Sequence, residues 1–186
     1  MLPKFEKAIQ SELKQLNFDN SIFKVVFSEK NIIDKKGMDD INFLASFNLG
    51  QNPRSLFDIA SGGELSRFML ALKIITAEKD TIDTLILDEI DTGVSGITAQ
   101  VVGEVISKLA QNYQILLVTH LPQIAVRGKH HILIDKYTEN GLTKTSLKVL
   151  NYDERINEVA RLIGGKNITK SVLASATEQL NSAQKE

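Results

Sequence analysis

Two adjacent carboxylates, Asp88 and Glu89, directly follow a short apolar run at 85–87. Such a run is typical of a buried strand, and charges at its end need partners if they are buried with it. One carboxylate could hold the solvation shell of a magnesium ion, while the next could orient and polarise an attacking water. The alternative is a purely structural one, in which the strand ends and the chain continues into a polar loop. The pair by itself leaves both interpretations open.

A second group, Ser61-Gly62-Gly63-Glu64, precedes an amphipathic segment. Ser61 and Glu64 have the spacing of a capping box, which would make the group the start of a helix and nothing more. Glycine in a first helical turn costs ~0.5–1 kcal/mol relative to alanine, so two in succession call for another reason. A bare backbone there suits an approaching anion, because a helix N-terminus offers free N–H groups and a positive dipole end. Phosphate binding is therefore a hypothesis for these glycines.

A third candidate is His120, which follows a second apolar run at 115–118. An imidazole at that place could hydrogen-bond a phosphate oxygen, although a lone histidine at a strand end is more often structural. The loop at 90–96 contains two glycines and leads to a predicted helix N-cap at Ser95. No chemistry follows from that loop alone.

These candidates need strands and helices to position them. The apolar runs at 85–87 and 115–118 flank a predicted helix over 97–110. This order predicts a βαβ unit with both strands buried in a parallel sheet. The ends of parallel strands meet at one edge of a sheet, where such folds bind ligands. The unit would therefore place the carboxylate pair and the histidine at the same edge.

The remaining segments follow helical or alternating patterns of apolar residues. The predicted helices cover 4–17, 62–78, 153–163 and 170–183. The further predicted strands cover 22–28, 41–49, 131–135 and 144–150. The first two of these strands predict an antiparallel hairpin.

Composition bounds the class of protein. The chain has 186 residues, enough for one domain with a sizeable core. Its 22 basic and 23 acidic residues give a net charge of -1, which argues against a stand-alone, nonspecific nucleic-acid binder. The sequence has no cysteine, which excludes disulfides, thiolate metal sites and a cysteine nucleophile. No apolar run reaches the length of a signal peptide or membrane span, so we expect a cytoplasmic location.

The order of three motifs along the chain is more specific than any one of them: ASGGELSR at 60–67, DEIDTGVSG at 88–96 and THLPQIA at 119–125. Together they resemble the C-terminal half of an ABC-type ATPase head, in the form found in the RecN family of bacterial DNA-repair proteins, which are relatives of the SMC proteins. The resemblance implies an α/β fold, the C-terminal lobe of an ABC-type (P-loop NTPase) head, with a parallel core sheet flanked by helices and an antiparallel hairpin. It also implies that 1–18 end a coiled-coil arm and that 19–186 form the lobe.

The resemblance also implies a role for each matching residue. Asp88 would serve a magnesium ion, and Glu89 would be the general base or water-orienting residue. His120 would sense the γ-phosphate. Ser95 would lie at the nucleotide site in the D-loop, where the wider ABC pattern has an aspartate. The implied signature-motif residues, which contact the γ-phosphate of ATP held by the opposite subunit, are Ser61, Gly62, Gly63 and Glu64.

The implied activity is ATP hydrolysis in DNA double-strand-break repair and recombination. Two complete heads would enclose two ATP molecules in a head-to-head dimer, and the complete protein would bind DNA at the nucleoid without a membrane partner. The sequence contains no P-loop motif, G-x-x-x-x-G-K-[ST], so we expect that motif on an N-terminal lobe of the same protein. We also expect that this chain alone is inactive and binds neither ATP nor Mg²⁺ tightly.

Two other interpretations stay open. The first is a non-catalytic dimerisation or scaffold module of an SMC-like protein, which the joint presence of Asp88, Glu89 and His120 disfavours. The second is the nucleotide-binding domain of a membrane transporter. Such domains usually have proline after the acidic pair and aspartate at the end of the D-loop, and 90–95 has neither.

Overall fold

The computed structural model describes residues 2–35, 37–58, 62–77 and 82–184. Its helices are α1 (Leu2–Gln15), α2 (Gly62–Thr76), α3 (Gly96–Leu109), α4 (Pro122–Ala125), α5 (Tyr152–Gly164) and α6 (Lys170–Ala183). Its strands are β1 (Ile22–Asp34), β2 (Gly37–Ser46), β3 (Arg54–Ser55), β4 (Thr84–Leu87), β5 (Gln114–Leu117), β6 (Ile132–Glu139) and β7 (Leu142–Val149). One turn of 3-10 helix, Leu56–Asp58, follows β3. The chain is therefore a mixed α/β fold, as the sequence predicts.

The strands form separate sheets. β1, β2 and β3 make an antiparallel sheet, β4 and β5 a parallel pair, and β6 and β7 an antiparallel pair. The predicted hairpin and the predicted βαβ unit are both confirmed. The predicted strand at 41–49 is wrong at its end, because β2 stops at Ser46, where the serine hydroxyl donates to the carbonyl of Asn48 at 3.0 Å and the chain bends.

An aromatic cluster joins the first helix, the first sheet and α2. The Phe23 ring lies 6.0 Å from that of Phe5, 5.6 Å from that of Phe43 and 5.3 Å from that of Phe68, measured between centroids. Such offset and edge-to-face pairs add to the gain from burying their area. The Val25 N–H donates to the Glu6 carboxylate at 2.8 Å, which fixes α1 along β1. The apolar stripe predicted for 4–17 is thus part of the same core as α2.

The parallel pair is covered on one face only. Leu85 packs into the core beside the buried side chains of α3, while Ile86 is 75% exposed and Leu116 opposite it is 46% exposed. The prediction that both strands are fully buried is therefore wrong. Successive residues of a strand point to opposite faces, so covering one face of a two-stranded sheet leaves every second apolar residue in solvent.

The last two helices form a second, smaller core with α4. α5 begins with a capping box in which the Glu154 N–H donates to Asn151 Oδ1 and the Asn151 N–H donates to Glu154 Oε2, both at 3.0 Å. Its buried residues pack against α6, and the buried members of this core are Val126, Val159, Ala160, Ala176 and Leu180. Within the described part of the chain, no helix is both long and apolar enough to cross a membrane.

Candidate active site

The ends of β4 and β5 open into one cavity of about 280 Å³. The parallel register pairs Leu87 with Leu117, and the Val118 N–H donates to the Leu87 carbonyl at 3.1 Å, so the two strands end level. The cavity is lined by Asp88, Glu89, Asp91, Thr92, Val118, Thr119 and His120. The carboxylate pair and the histidine thus lie at one edge of a parallel sheet, as their spacing predicts.

The backbone at the carboxylate pair is strained. Glu89 has a φ of 57°, in the left-handed region that costs a non-glycine residue about 1–2 kcal/mol. Its N–H donates to Asp88 Oδ1 at 2.9 Å, and its carbonyl accepts from the Thr92 N–H at 3.1 Å, so local hydrogen bonds hold the unusual conformation. Strain of this kind clusters at functional sites, where the surrounding structure holds it in place. Both carboxylates remain exposed to solvent at the cavity.

The two glycines at the start of α2 lie against this strained loop. A Cβ at Gly62 would collide with the Glu89 carboxylate, and a Cβ at Gly63 would lie 2.8 Å from the Thr92 Cβ and 2.9 Å from the Thr92 carbonyl oxygen. The anion that approaches this bare backbone in the structure is therefore the chain's own Glu89. Ser61 and the capping box predicted with Glu64 lie outside the described residues.

The two glycines should differ in what they tolerate. Gly63→Ala is expected to lower the free energy of unfolding by about 1–3 kcal/mol, because a methyl group there meets backbone that cannot easily move. Gly62→Ala is the matched variant, since its methyl group meets only the flexible end of the Glu89 side chain. Urea unfolding of the chain measures both. A Gly63→Ala variant as stable as Gly62→Ala would contradict the close packing of α2 on Thr92.

Two side chains of α2 tie the helix to the same loop. The Ser66 hydroxyl donates to the Asp88 carbonyl at 3.0 Å, and the Arg67 guanidinium donates to the Thr92 carbonyl at 2.6 Å. The guanidinium is buried and also lies 4.8 Å from the centre of the Phe18 ring, a cation–π contact. Burial lowers the pKa of Arg67 from its ordinary value, and the negative charge of Glu64 opposes that shift. The start of α2 and the loop after β4 therefore form one packed unit.

Ser95 does not join the carboxylates and the histidine. It is the N-cap residue of α3, but its side chain makes no capping hydrogen bond. It lines a second cavity, of about 330 Å³, whose walls are formed by Ser95, Gly96, Leu121, Pro122, Gln123, Leu162, Ile163 and Gln179. Any contact of Ser95 with a nucleotide must therefore be made outside the first cavity.

Sequence reasoning missed Asp91. Its side chain is only 6% exposed, and its Oδ2 accepts hydrogen bonds from the Thr119 hydroxyl at 2.6 Å and from the His120 N–H at 3.0 Å. The same oxygen lies 3.1 Å from Nδ1 of His120. The stretch 88–91 contains three acidic residues, and no periodicity marks which of them turns inward. The one available signal is that Asp91 follows Ile90, which is fully buried.

The donor set suits a magnesium ion held together with phosphate. Asp88 uses Oδ1 to accept the Glu89 N–H, which leaves its other oxygen for a ligand. Among the described residues, no group of three or more acidic, histidine or cysteine side chains could hold a metal. Mg²⁺ needs no such group, because it keeps several waters and is commonly bound through one or two carboxylates plus substrate phosphates.

Comparison with known proteins gives the family. No protein-family model matches the chain. The chain is 42% identical over 174 residues to DNA repair protein RecN of Haemophilus influenzae, and 44% identical over 177 residues to that of Rickettsia bellii. These matches cover 93% and 95% of this chain. By sequence, the chain belongs to the RecN family. It spans about a third of the relatives' length, 31% and 32% respectively.

Comparison with solved structures identifies the fold of this RecN-family chain. It matches the SMC head domain with a coiled coil and joint from Pyrococcus yayanosii with a TM-score of 0.57, over 89% of this chain and 30% of that one. It matches a structure described under ATP-driven dimerisation and DNA-stimulated activation of SMC ATPases with a TM-score of 0.51, over 89% of this chain and 95% of that one. At sequence identities of 15% and 13%, these matches establish the fold alone, which is that of part of an ABC-type SMC head.

Proposed function

We propose that this chain forms part of an ATPase head in a RecN-like protein and supplies the water-activating half of its ATP site. The observation that carries the proposal is the single cavity in which Asp88, Glu89 and His120 meet at the end of a parallel strand pair. That edge is where α/β sheets bind their ligands. One of the solved structures that share the fold is described as an SMC ATPase, which supports the same activity.

Within this cavity each residue has one task. A bound Mg²⁺ would supply positive charge that offsets the negative charge developing on the transferred phosphoryl group. Asp88 would hold the ion through the oxygen that the Glu89 N–H leaves free. Glu89 orients the attacking water and accepts its proton. His120, whose side chain is 74% exposed, donates a hydrogen bond to a terminal phosphate oxygen.

A second copy completes the arrangement. In this proposal the first turn of α2, with Gly62, Gly63 and Glu64 and the preceding Ser61, contacts the terminal phosphate of an ATP bound by the partner head, and Ser95 lies at the same dimer interface. α2 is a 15-residue helix, so its N-terminus offers free N–H groups and a positive dipole end to an anion. The contact between Gly62 and the Glu89 carboxylate supports the view that this turn accepts negative charge.

The uncovered face of β4 and β5 supports an N-terminal P-loop lobe of the same protein as a further partner. Parallel strands occur almost only in sheets covered on both faces, and here Ile86, Leu116 and Val118 face solvent together. A two-stranded sheet with one open apolar face needs further strands or a covering layer to become stable. We propose that the P-loop lobe covers this face and brings the residues that hold the β- and γ-phosphates.

The biological setting is part of the proposal. The complete protein would act in double-strand-break repair and recombination, bind DNA, and reside in the cytoplasm at the nucleoid. Residues 1–18 would end a coiled-coil arm, and 19–186 would form the lobe. The relatives are DNA repair proteins, which supports the repair role.

The decisive experiment measures Mg-ATP hydrolysis by this chain alone, by a separately produced P-loop lobe alone, and by the two mixed. We call the mixture of the two lobes the assembled head. We expect that only the assembled head hydrolyses ATP. Hydrolysis by this chain alone at the same rate would mean that it holds a complete phosphate site. If the two lobes associate but the mixture does not hydrolyse ATP, the result would instead favour a scaffold without nucleotide chemistry.

Association of the two lobes should depend on the open sheet face. Ile86→Lys is expected to weaken binding of the P-loop lobe by about tenfold or more, because it buries a charge without a partner. Leu142→Lys serves as the control, since Leu142 is 66% exposed but is the first residue of β7, in a different sheet. Calorimetric titration of one lobe with the other measures both affinities. Equal affinities for the two variants would exclude this face as the docking surface.

A further inference from the structure

A single oxygen of Asp91 connects the loop after β4 with the end of β5. Asp91 Oδ2 accepts from the Thr119 hydroxyl and from the His120 N–H, and it lies 3.1 Å from His120 Nδ1. The Thr119 oxygen in turn accepts from the Leu121 N–H at 3.1 Å. Buried carboxylates are costly unless hydrogen bonds compensate for the lost water, and here two hydrogen bonds and the nearby His120 Nδ1 surround one oxygen.

We propose that Asp91 is a positioning residue for the ATP site, because it fixes both the orientation and the protonated nitrogen of His120. This inference rests on the proposed function and adds to it a residue that neither holds the metal nor activates the water. The contrast in burial supports the assignment: the Asp91 side chain is 6% exposed, while the imidazole that it contacts is 74% exposed. An exposed imidazole has many rotamers, and a buried partner selects one of them.

The contact also determines which ring nitrogen carries a proton. A carboxylate oxygen can only accept, so its position 3.1 Å from Nδ1 favours the form of the ring that has its proton at Nδ1. Nε2 at the opposite edge has no hydrogen-bond partner among the described residues and remains for a ligand. A phosphate oxygen at Nε2 can also only accept, so the ring must take up a second proton from solvent before it donates at both ends. Asp91 then balances the positive charge of that ring.

The neighbouring acidic residues are placed differently. The Glu89 carboxylate lies against Gly62, and Asp88 accepts the Glu89 N–H. Both are exposed, whereas Asp91 is buried. Of the three acidic residues in 88–91, Asp91 is therefore the one whose negative charge acts through His120.

The first test reads the ring directly and needs no nucleotide. Nitrogen-15 NMR of the chain above the titration range of its histidines distinguishes a proton at Nδ1 from one at Nε2. We expect Nδ1–H for His120 in the parent chain and in Thr119→Val, which loses a hydrogen bond to the same oxygen. We expect Nε2–H, the form that free histidine prefers, in Asp91→Ala. His131 is an internal reference, because its Nε2 lies 2.7 Å from the Ala125 carbonyl oxygen.

The second test measures hydrolysis by the assembled head. Asp91→Asn keeps the shape of the side chain but removes its charge, and it should lower kcat by about 10- to 100-fold, as does loss of the outer partner of a ligating histidine. KM for ATP should change much less. In a His120→Ala background the same substitution should cause no further loss, because its effect passes through the imidazole.

The outcomes separate this inference from the function on which it rests. A proton at Nε2 of His120 in the parent chain, or equal kcat losses from Asp91→Asn with and without His120, would overturn the positioning role while hydrolysis itself persists. A parent assembled head without hydrolysis would overturn the proposed function, and the positioning role in catalysis with it, whatever the NMR result. An Nδ1 proton together with a kcat loss that requires His120 supports both.

Discussion

Replacing Glu89 with glutamine should lower kcat of the assembled head by about 10²–10⁴-fold, the range expected for loss of a general base. The amide keeps the size of the carboxylate but cannot take a proton from water. ATP binding should persist, because the residue that serves the metal, Asp88, is unchanged. Phosphate release measures turnover, and titration with a fluorescent ATP analogue measures binding.

Glu178→Gln is the matched control for this prediction. It makes the same chemical change at an exposed position on α6 that lines neither cavity. The control should hydrolyse ATP at the rate of the parent head. Near-parent turnover in Glu89→Gln would remove Glu89 from its proposed role. Loss of nucleotide binding would instead assign it to binding.

Phe68→Ala should lower the unfolding free energy by about 3–5 kcal/mol. The Phe68 ring is fully buried and contacts both Phe23 and Phe47, with centroids 5.3 and 6.5 Å away. Truncation removes the apolar contact and leaves a cavity between α2 and the first sheet. Urea unfolding of the chain followed by circular dichroism measures the change.

Phe57→Ala is the control for the same chemistry without burial. Phe57 is 96% exposed, so its truncation should change the unfolding free energy by no more than about 0.5 kcal/mol. If the two variants were equally stable, the aromatic cluster would not be the centre of the core. The packing that positions α2 against the loop after β4 would then need another explanation.

The regular elements were predictable because their apolar residues repeat at fixed intervals. Alternation in 41–47 predicts a strand, and the short runs at 85–87 and 115–118 predict strands because they flank a predicted helix. The juxtaposition of Asp88, Glu89 and His120 was predictable for a related reason, since parallel strands of similar length end at the same edge. Local pattern and chain order contain this information.

Three features of the site were not predictable, because each depends on contacts between distant segments. Asp91 turns inward to donors on Thr119 and His120, which come from the next strand. Gly62 lies against a glutamate that comes later in the chain, so its lack of a side chain has an internal cause in this structure. The exposure of Ile86 depends on what covers the sheet, and a run of apolar residues cannot distinguish one covered face from two.

The packing of α2 has a mechanical consequence. Arg67 stacks on Phe18, just beyond the end of α1, and its guanidinium donates to the Thr92 carbonyl in the loop that carries the carboxylates. A displacement at the end of α1 would therefore be transmitted to that loop through the buried Arg67 side chain and its hydrogen bond to the Thr92 carbonyl. The same two contacts of Arg67 act in both directions, so rearrangement of the loop would also displace the end of α1.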